Sequence, residues 1–219
     1  MRVAFMHVEE PTYNPEMQRN LANMMVASVK KAMPDIEVLQ MTDTTTKPIE
    51  GVDEVRVIEI DGPWLMPYRL KHLAALDGEN IILDTDIIVR EDLREVFKHG
   101  FQLALTRRDI GLIDGLDMPY NIGVMFSRCP EFWQEAYEYC LTLPENQQMW
   151  FGDQIAVKYL VDAGKYKIGE LDCDIWNYSP NTKYFDPSEK KVIHFKGTKR
   201  KLWMLTNNWG IINEPSHIV

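Results

Sequence analysis

Short apolar runs with β-strand character alternate along this chain with segments whose apolar residues recur at helical spacing. Residues 3–8 form the first apolar run, and residues 15–33 then repeat apolar side chains through Leu21, Met25 and Val29. Strands that alternate with helices in this way are typical of a mainly parallel sheet covered by helices on both faces. The sequence therefore predicts an α/β fold with a mainly parallel central sheet flanked by helices.

The same alternation of strand-like apolar runs and helical apolar spacing continues along the rest of the chain. Further strands are predicted at residues 36–41, 55–60, 80–83, 102–106, 122–126, 167–171 and 191–195. Further helices are predicted at residues 65–76, 91–98, 131–143 and 153–163. The sequence contains no internal repeat or linker, and 219 residues leave little room for a second full domain. We therefore expect a single domain over residues 1–219.

The charge balance restricts the class of partner. The chain has 24 basic and 33 acidic residues, for a formal net charge of -9. A nucleic-acid polymer is a poor partner for such a chain, because binding one requires a basic surface. An anionic substrate would have to be held by local features such as a metal ion, a helix N-terminus or a few clustered cations.

Cysteine usage and hydropathy bear on the compartment. Cys129, Cys140 and Cys173 show no Cys-x-x-Cys spacing, as expected of ordinary thiols in a reducing environment. No stretch approaches the roughly 20 apolar residues of a membrane-spanning helix. The first apolar run is also too short for a signal peptide. We expect a cytoplasmic protein without an integral membrane segment.

The most informative stretch is the apolar run at residues 80–83, which leads directly into Asp84-Thr-Asp86. Two carboxylates two residues apart point to the same side of an extended chain. The carboxyl ends of strands are where ligands bind in open α/β sheets, and neighbouring carboxylates repel each other unless a cation neutralises them. The pattern indicates a site for Mg²⁺ or Mn²⁺, although the two aspartates could also be solvated turn residues.

Other short motifs place polar residues around this pair, and each has a plainer structural interpretation. Arg69 lies on a predicted helix, and Asn121 with Gly123 begins a predicted strand. Asp153 is expected to be a helix N-cap, a role that gives no reason for the amide of Gln154 beside it. The final predicted strand carries His194, and a Gly197-containing basic loop follows it with the consecutive cations Lys199, Arg200 and Lys201.

Taken together, these motifs resemble the GT-A-fold glycosyltransferases, and most closely the retaining family that includes bacterial galactosyltransferases and glycogenin. The resemblance rests on Arg69, Leu83-Asp84-Thr-Asp86, Asn121-x-Gly123-Val, Gly152-Asp153-Gln154 and His194-Phe-x-Gly197, which span residues 69–203 in the family's order. It implies a GT-A fold and transfer of a hexose from a nucleotide-diphosphate sugar, such as UDP-Glc or UDP-Gal, to an acceptor hydroxyl of unknown identity.

The resemblance also implies a role for each motif. Asp84, Asp86 and His194 would coordinate Mn²⁺ (or Mg²⁺). Asn121, Asp153 and Gln154 would surround the transferred sugar as catalytic residues. The donor would be bound by Arg69, Phe5, His7, Thr85, Gly197, Lys199, Arg200 and Lys201.

The basic tail departs from the family's His-x-x-Gly-x-x-Lys-Pro-Trp pattern. Arg200 stands at the Lys position, Lys201 replaces the Pro, and Trp203 comes one residue late. The departure leaves open which of these cations contacts the diphosphate.

The resemblance to a retaining family implies that transfer keeps the anomeric configuration of the donor sugar. The residues are consistent with this, because Asp84 and Asp86 are assigned to the metal and the amide of Gln154 is a poor general base. Two alternatives remain. One is a protein that binds nucleotide sugars with little or no turnover. The other is a phosphatase of the haloacid-dehalogenase type, which also has Asp-x-Asp after a strand but carries it on the first strand.

Overall fold

The computed structural model describes residues 1–10, 13–60, 62, 64–108, 112–113, 115–149 and 151–207. Residues 208–219, which belong to the predicted single domain, lie outside the described residues. Within the described residues, no helix is long and apolar enough to cross a membrane.

The strands are β1 (Arg2–Met6), β2 (Glu37–Thr42), β3 (Glu54–Val57), β4 (Asn80–Leu83), β5 (Ile87–Val89), β6 (Leu103–Arg107), β7 (Leu112–Ile113), β8 (Leu116–Asp117), β9 (Tyr120–Ser127), β10 (Ile168–Asp172) and β11 (Val192–His194). Seven of them form the central sheet, in the order β10-β6-β9-β4-β1-β2-β3. Strand β5 pairs with β11, and β7 with β8, in small separate ladders.

Helices cover both faces of this sheet. The helices are α1 (Pro15–Ala32), α2 (Leu65–Leu73), α3 (Pro130–Thr142), α4 (Glu145–Gln148), α5 (Gly152–Asp162), α6 (Cys173–Trp176) and α7 (Thr198–Thr206). Val3 and Phe5 of β1 pack on the side of α1, whereas Ala4 packs on the side of α2, α3 and α5, as expected where successive residues of a strand alternate between faces. The predicted α/β class with a mainly parallel sheet is confirmed.

Strand β9 is the antiparallel member of the sheet. It lies between β4 and β6 and runs antiparallel to both, so its first residues lie at the edge where those strands end. The backbone N–H of Asp84 donates to the carbonyl of Gly123 at 2.9 Å, which ties the end of β4 to the start of β9. Asn121 and Gly123 are therefore brought beside the Asp-x-Asp pair.

The small β5–β11 ladder brings the second half of the chain to the same edge. Its antiparallel register pairs His194 with Ile87, the residue after Asp86. The N–H of Phe195 donates to the carbonyl of Asp86 at 2.8 Å. These backbone bonds place His194 next to Asp86, although the two residues are more than a hundred positions apart in sequence.

Three local predictions were wrong. The segment predicted as a helix at residues 91–98 contains a 3₁₀ turn at Arg94–Lys98. Asp153 is the second residue of α5 and not its N-cap, which is Phe151. The predicted basic loop is the first turn of α7, which begins at Thr198 after Gly197 at a φ of 77°, a conformation that glycine adopts at little cost.

Candidate metal and donor site

Asp84, Asp86 and His194 converge at the carboxyl end of β4. One potential ligand atom from each lies within 4.8 Å of the other two. His194 Nε2 is 3.0 Å from Asp86 Oδ1 and 3.6 Å from Asp84 Oδ2. The structure thus brings together the three residues that the sequence resemblance assigned to the metal.

The shape of this cluster fits a divalent cation. A Cβ added at Gly123 would overlap His194 Cε1 and lie 2.8 Å from Asp84 Oδ2, so only glycine at this position allows the imidazole and carboxylate to approach. An unprotonated Nε2 and two carboxylates would repel one another at these distances unless a cation or a proton lay among them. Two carboxylates with one imidazole form a ligand set that Mn²⁺ accepts, since carboxylates suit it and the imidazole is softer than the oxygen ligands that Mg²⁺ requires.

Asp86 is held as an anion. Burial by itself would raise the pKa of its carboxyl, but the imidazolium form of His194 and the ammonium of Lys201 outweigh burial and lower that pKa to about 2. Lys201 Nζ lies 3.4 Å from Asp86 Oδ2. A buried carboxylate that stays charged is suited to bind a cation.

Arg69 is buried between two carboxylates. Its Nη2 lies 2.8 Å from Asp84 Oδ1 and donates to the carbonyl of Ile122 at 3.0 Å, while its Nη1 lies 3.5 Å from Asp153 Oδ2. The guanidinium therefore links the end of β4, the start of β9 and the first turn of α5. Its predicted contact with a donor stays a prediction.

Asp153 and Gln154 begin α5 beside this cluster. Asp153 is 1% exposed, and burial raises the pKa of its carboxyl to about 6, against the opposing effect of Arg69. Gln154 Oε1 accepts a hydrogen bond from Arg108 Nη2 at 2.8 Å. Because its oxygen is engaged in this way, the amide nitrogen of Gln154 is oriented away from Arg108.

A cavity of about 260 Å³ opens beside Asp84. Among the residues predicted to bind a donor, His7, Arg69, Thr85 and Lys201 line it, together with Tyr13 and Gln18 of the first loop and helix. His7 is 4% exposed, and burial lowers the pKa of its imidazole despite the nearby Glu9. Phe5 does not line this cavity, because its side chain is fully buried in the core beside α1. The prediction that Phe5 contacts the donor was wrong.

Comparison with solved structures identifies this architecture. The glycosyltransferase GlyE of Streptococcus pneumoniae matches with a TM-score of 0.65 and 16% identity over 96% of this chain and 62% of its own. The galactosyltransferase LgtC, solved with donor and acceptor sugar analogs, matches with a TM-score of 0.58 and 16% identity, covering 90% and 87% of the two chains. The chain has the GT-A glycosyltransferase fold. The expectation of a GT-A fold is confirmed.

A third structure supports the same fold. A glycosyltransferase involved in glycosylation of the major capsid of PBCV-1 matches with a TM-score of 0.62 and 10% identity over 94% of this chain and all of its own. This chain spans 62% of the length of GlyE. No protein-family model matches the sequence, and no curated protein matches it significantly.

The three basic residues of α7 have different surroundings. Arg200 donates to the carbonyls of Pro180 and Lys196, at 2.6 Å and 3.1 Å, so it holds neighbouring backbone. Lys199 Nζ lies over the ring of Trp203 at 5.4 Å, and with Gly197 it lines a separate cavity. Lys201 alone of the three faces both the Asp86 carboxylate and the cavity beside Asp84.

Sequence reasoning missed two polar residues at this edge. Asn177 is fully buried and its Oδ1 lies 2.8 Å from His194 Nδ1, on the side of the ring away from Asp86. Arg108 follows β6 and holds both Gln154 and the carbonyl of Met118. The cation pair Arg107-Arg108 after a strand could have signalled Arg108, whereas no local pattern distinguishes Asn177.

Proposed function

We propose that this chain is a metal-dependent glycosyltransferase that moves a hexose from a nucleotide-diphosphate sugar to an acceptor hydroxyl. The observation that carries the proposal is the Asp84, Asp86 and His194 cluster, which lies beside a cavity at the carboxyl edge of a GT-A sheet. Ligands bind at this edge in open α/β folds. Lys201 provides a cation on the same cavity, where it would bind the diphosphate.

Asp84, Asp86 and His194 would hold Mn²⁺ in preference to Mg²⁺. When bound, the ion would supply charge neutralisation for the departing diphosphate. The protein's own contribution is to keep Asp86 charged through Lys201 and to keep Asp84 oriented through Arg69. His7 and Thr85 line the same cavity and would contact the nucleotide. UDP-Glc and UDP-Gal are the donors that we propose first, because the sequence motifs resemble family members that use UDP-sugars.

The sugar would lie towards the first turn of α5. Arg108 holds Gln154 by its oxygen, so the amide N–H groups are available to stabilise negative charge or to orient sugar hydroxyls. Asn121 is 7% exposed and its oxygen accepts from the N–H of Gly123 at 3.1 Å. We therefore propose that Asn121 shapes this part of the site and that Gln154 makes the closer approach to the sugar.

Transfer with retention is the stereochemical proposal. Asp84 is the one carboxylate among the described residues that line the donor cavity, and it belongs to the metal cluster. Asp153 is buried and shares Arg69 with Asp84. Neither group is placed to act as a general base on an acceptor hydroxyl, as an inverting transfer requires.

The test is transfer from UDP-Glc and UDP-Gal to a panel of saccharide acceptors, with proton NMR of the first-formed glycoside. We expect Mn²⁺-dependent release of UDP, an α-glycoside from these α-linked donors, and loss of both in Asp86→Asn. The exposed Asp77→Asn is the matched control and should behave as wild type. A β-glycoside would refute retention and make Asp153 the candidate base.

Nucleotide-sugar binding without turnover is the second candidate function. It is favoured by the burial of Asp153, which was expected beside the transferred sugar. UDP-sugar binding detected by calorimetry, with no UDP release in the presence of any acceptor or of water, would support this alternative over catalysis.

A further inference from the structure

Asn177 lies directly behind the imidazole of His194. It follows α6 and is fully buried. The backbone next to it is fixed to β11, since Tyr178 N donates to the carbonyl of Val192 at 3.0 Å and His194 N donates to the carbonyl of Tyr178 at 2.7 Å. The Asn177 side chain is therefore held at a set distance from the ring.

The orientation of the Asn177 amide follows from a backbone donor. Asn121 faces the N–H of Gly123 at 3.1 Å. Because a backbone N–H can only donate, the atom of Asn121 that faces it must be the oxygen. Asn177 reaches this same Oδ1 at 2.6 Å, and only its NH₂ group can donate there.

Thr106 gives the same orientation independently. Its hydroxyl donates to the carbonyl of Asn121 at 2.8 Å, which uses the one hydroxyl hydrogen. Asn177 Nδ2 lies 2.8 Å from that hydroxyl oxygen, so Asn177 is again the donor. With both NH₂ hydrogens assigned to Thr106 and Asn121, the end of Asn177 that faces His194 is the oxygen.

The chain of hydrogen bonds then reaches the ring. Asn177 Oδ1 lies 2.8 Å from His194 Nδ1, and an amide oxygen can only accept. We propose that Asn177 is a positioning residue that fixes the tautomer of His194, with the hydrogen on Nδ1 and the lone pair on Nε2 facing Asp84 and Asp86. This inference depends on the proposed function only for the identity of the ion that Nε2 would bind.

The other tautomer is a real competitor, because Asp86 Oδ1 lies only 3.0 Å from Nε2. A neutral ring without Asn177 would place its hydrogen on Nε2 and donate it to Asp86. That arrangement removes the lone pair that a metal ion needs, and it satisfies the carboxylate with a hydrogen bond. A partner on the second ring nitrogen is the usual means of preventing this in metal sites.

Two variants of Asn177 separate this role from simple loss of packing. Asn177→Leu and Asn177→Asp both lose the hydrogen bonds donated to Thr106 and Asn121, but only Asn177→Asp keeps an oxygen facing Nδ1. Nitrogen-15 NMR of the side chain would record which ring nitrogen of His194 carries the hydrogen when the ring is neutral. Calorimetry with Mn²⁺ alone would record the metal affinity, and urea unfolding would record stability.

We expect Nδ1–H in the wild type and in Asn177→Asp, and Nε2–H in Asn177→Leu. Mn²⁺ affinity should fall about 10–100-fold in Asn177→Leu, the usual effect of losing such a partner, while Asn177→Asp keeps most of it. Nε2–H in the wild-type protein would overturn the inference, and this result can be read even if Asn177→Leu does not fold. The inference would also be overturned if both variants moved the hydrogen to Nε2 and lost Mn²⁺ affinity to the same extent. A wild type with Nδ1–H but no Mn²⁺ binding would support the role of Asn177 and count against the proposed function.

Discussion

A buried carboxylate follows the end of β4, and another lies in the first turn of α5. The pKa values of these two carboxyls shift in opposite directions. Asp86 faces the imidazole of His194 and the ammonium of Lys201, and the pKa of its carboxyl is lowered to about 2 even though burial opposes this. Asp153 faces Arg69, which also pairs with Asp84, and burial raises the pKa of its carboxyl to about 6. Burial alone does not decide the charge of a carboxylate: Asp86 has Lys201 in addition to the His194 that it shares with Asp84, whereas Asp153 has only the Arg69 that it shares with Asp84.

This difference in pKa indicates separate roles for the end of β4 and the start of α5. The end of β4 maintains negative charge that a metal ion can use. The start of α5 is joined to β4 through Arg69, so it supports the position of Asp84 and presents Gln154 to the site. Variants that alter one region without the other can test this division.

The largest effect is expected from Arg69→Met. Removing the guanidinium leaves the buried Asp153 and the partly exposed Asp84 without their shared cation, which should lower the free energy of unfolding by about 3–5 kcal/mol. Urea denaturation measures this directly. The matched control is Arg107→Met, which breaks an exposed pair with Glu170 and should cost about 0–1 kcal/mol. Equal losses in the two variants would show that Arg69 does not join the two regions.

The pH dependence of stability should differ in sign between the two aspartates. Asp153 has a raised pKa in the folded state, so the folded protein binds its proton more tightly than the unfolded chain does. The stability of the wild type relative to Asp153→Asn should therefore fall by on the order of 2 kcal/mol as the pH rises from about 4 to about 7. Asp86 has a lowered pKa, so the stability of the wild type relative to Asp86→Asn should fall as the pH drops from about 4 to about 2. Urea denaturation of the metal-free proteins across this range tests both, and the same sign for the two would contradict the comparison.

A smaller effect is expected within α7. Lys201→Ala should weaken binding of UDP by about 1.5 kcal/mol, the low end for a hydrogen bond to a charged group, since Lys201 is partly exposed. Lys199→Ala is the matched control, because its ammonium lies over Trp203 and away from Asp86. Calorimetry with UDP in the presence of Mn²⁺ compares them. If the control loses as much affinity as Lys201→Ala, the diphosphate contacts α7 through its whole basic face and not through Lys201.

How far the sequence predicts this site depends on how local each signal is. Asp84 and Asp86 were predictable because a buried strand leads straight into them. The helix at Thr198–Thr206 was missed because a glycine precedes it and its first turn has three adjacent cations, a composition as typical of a loop. Arg200 could not be distinguished from Lys201 by sequence, since its partner carbonyl at Pro180 is brought close by the fold.

Residues that act through other residues gave the weakest sequence signal. Asn177 is a single amide at the end of a short helix, and its partners Thr106, Asn121 and His194 come from three separate strands. The antiparallel direction of β9 could not be predicted from the sequence either, because apolar periodicity is the same for parallel and antiparallel strands. These features depend on which strands are neighbours, and that is decided by the packing of the whole sheet.

Calorimetric titration of the purified protein with Mn²⁺ tests the central claim most directly. The wild type and the exposed control Asp77→Asn should bind one ion with the same affinity. Asp86→Asn removes one ligand and its charge while keeping the shape of the side chain, and we expect about 100-fold weaker binding, equivalent to about 2.7 kcal/mol. Unchanged affinity in Asp86→Asn would contradict the assignment of Asp84, Asp86 and His194 as the metal site.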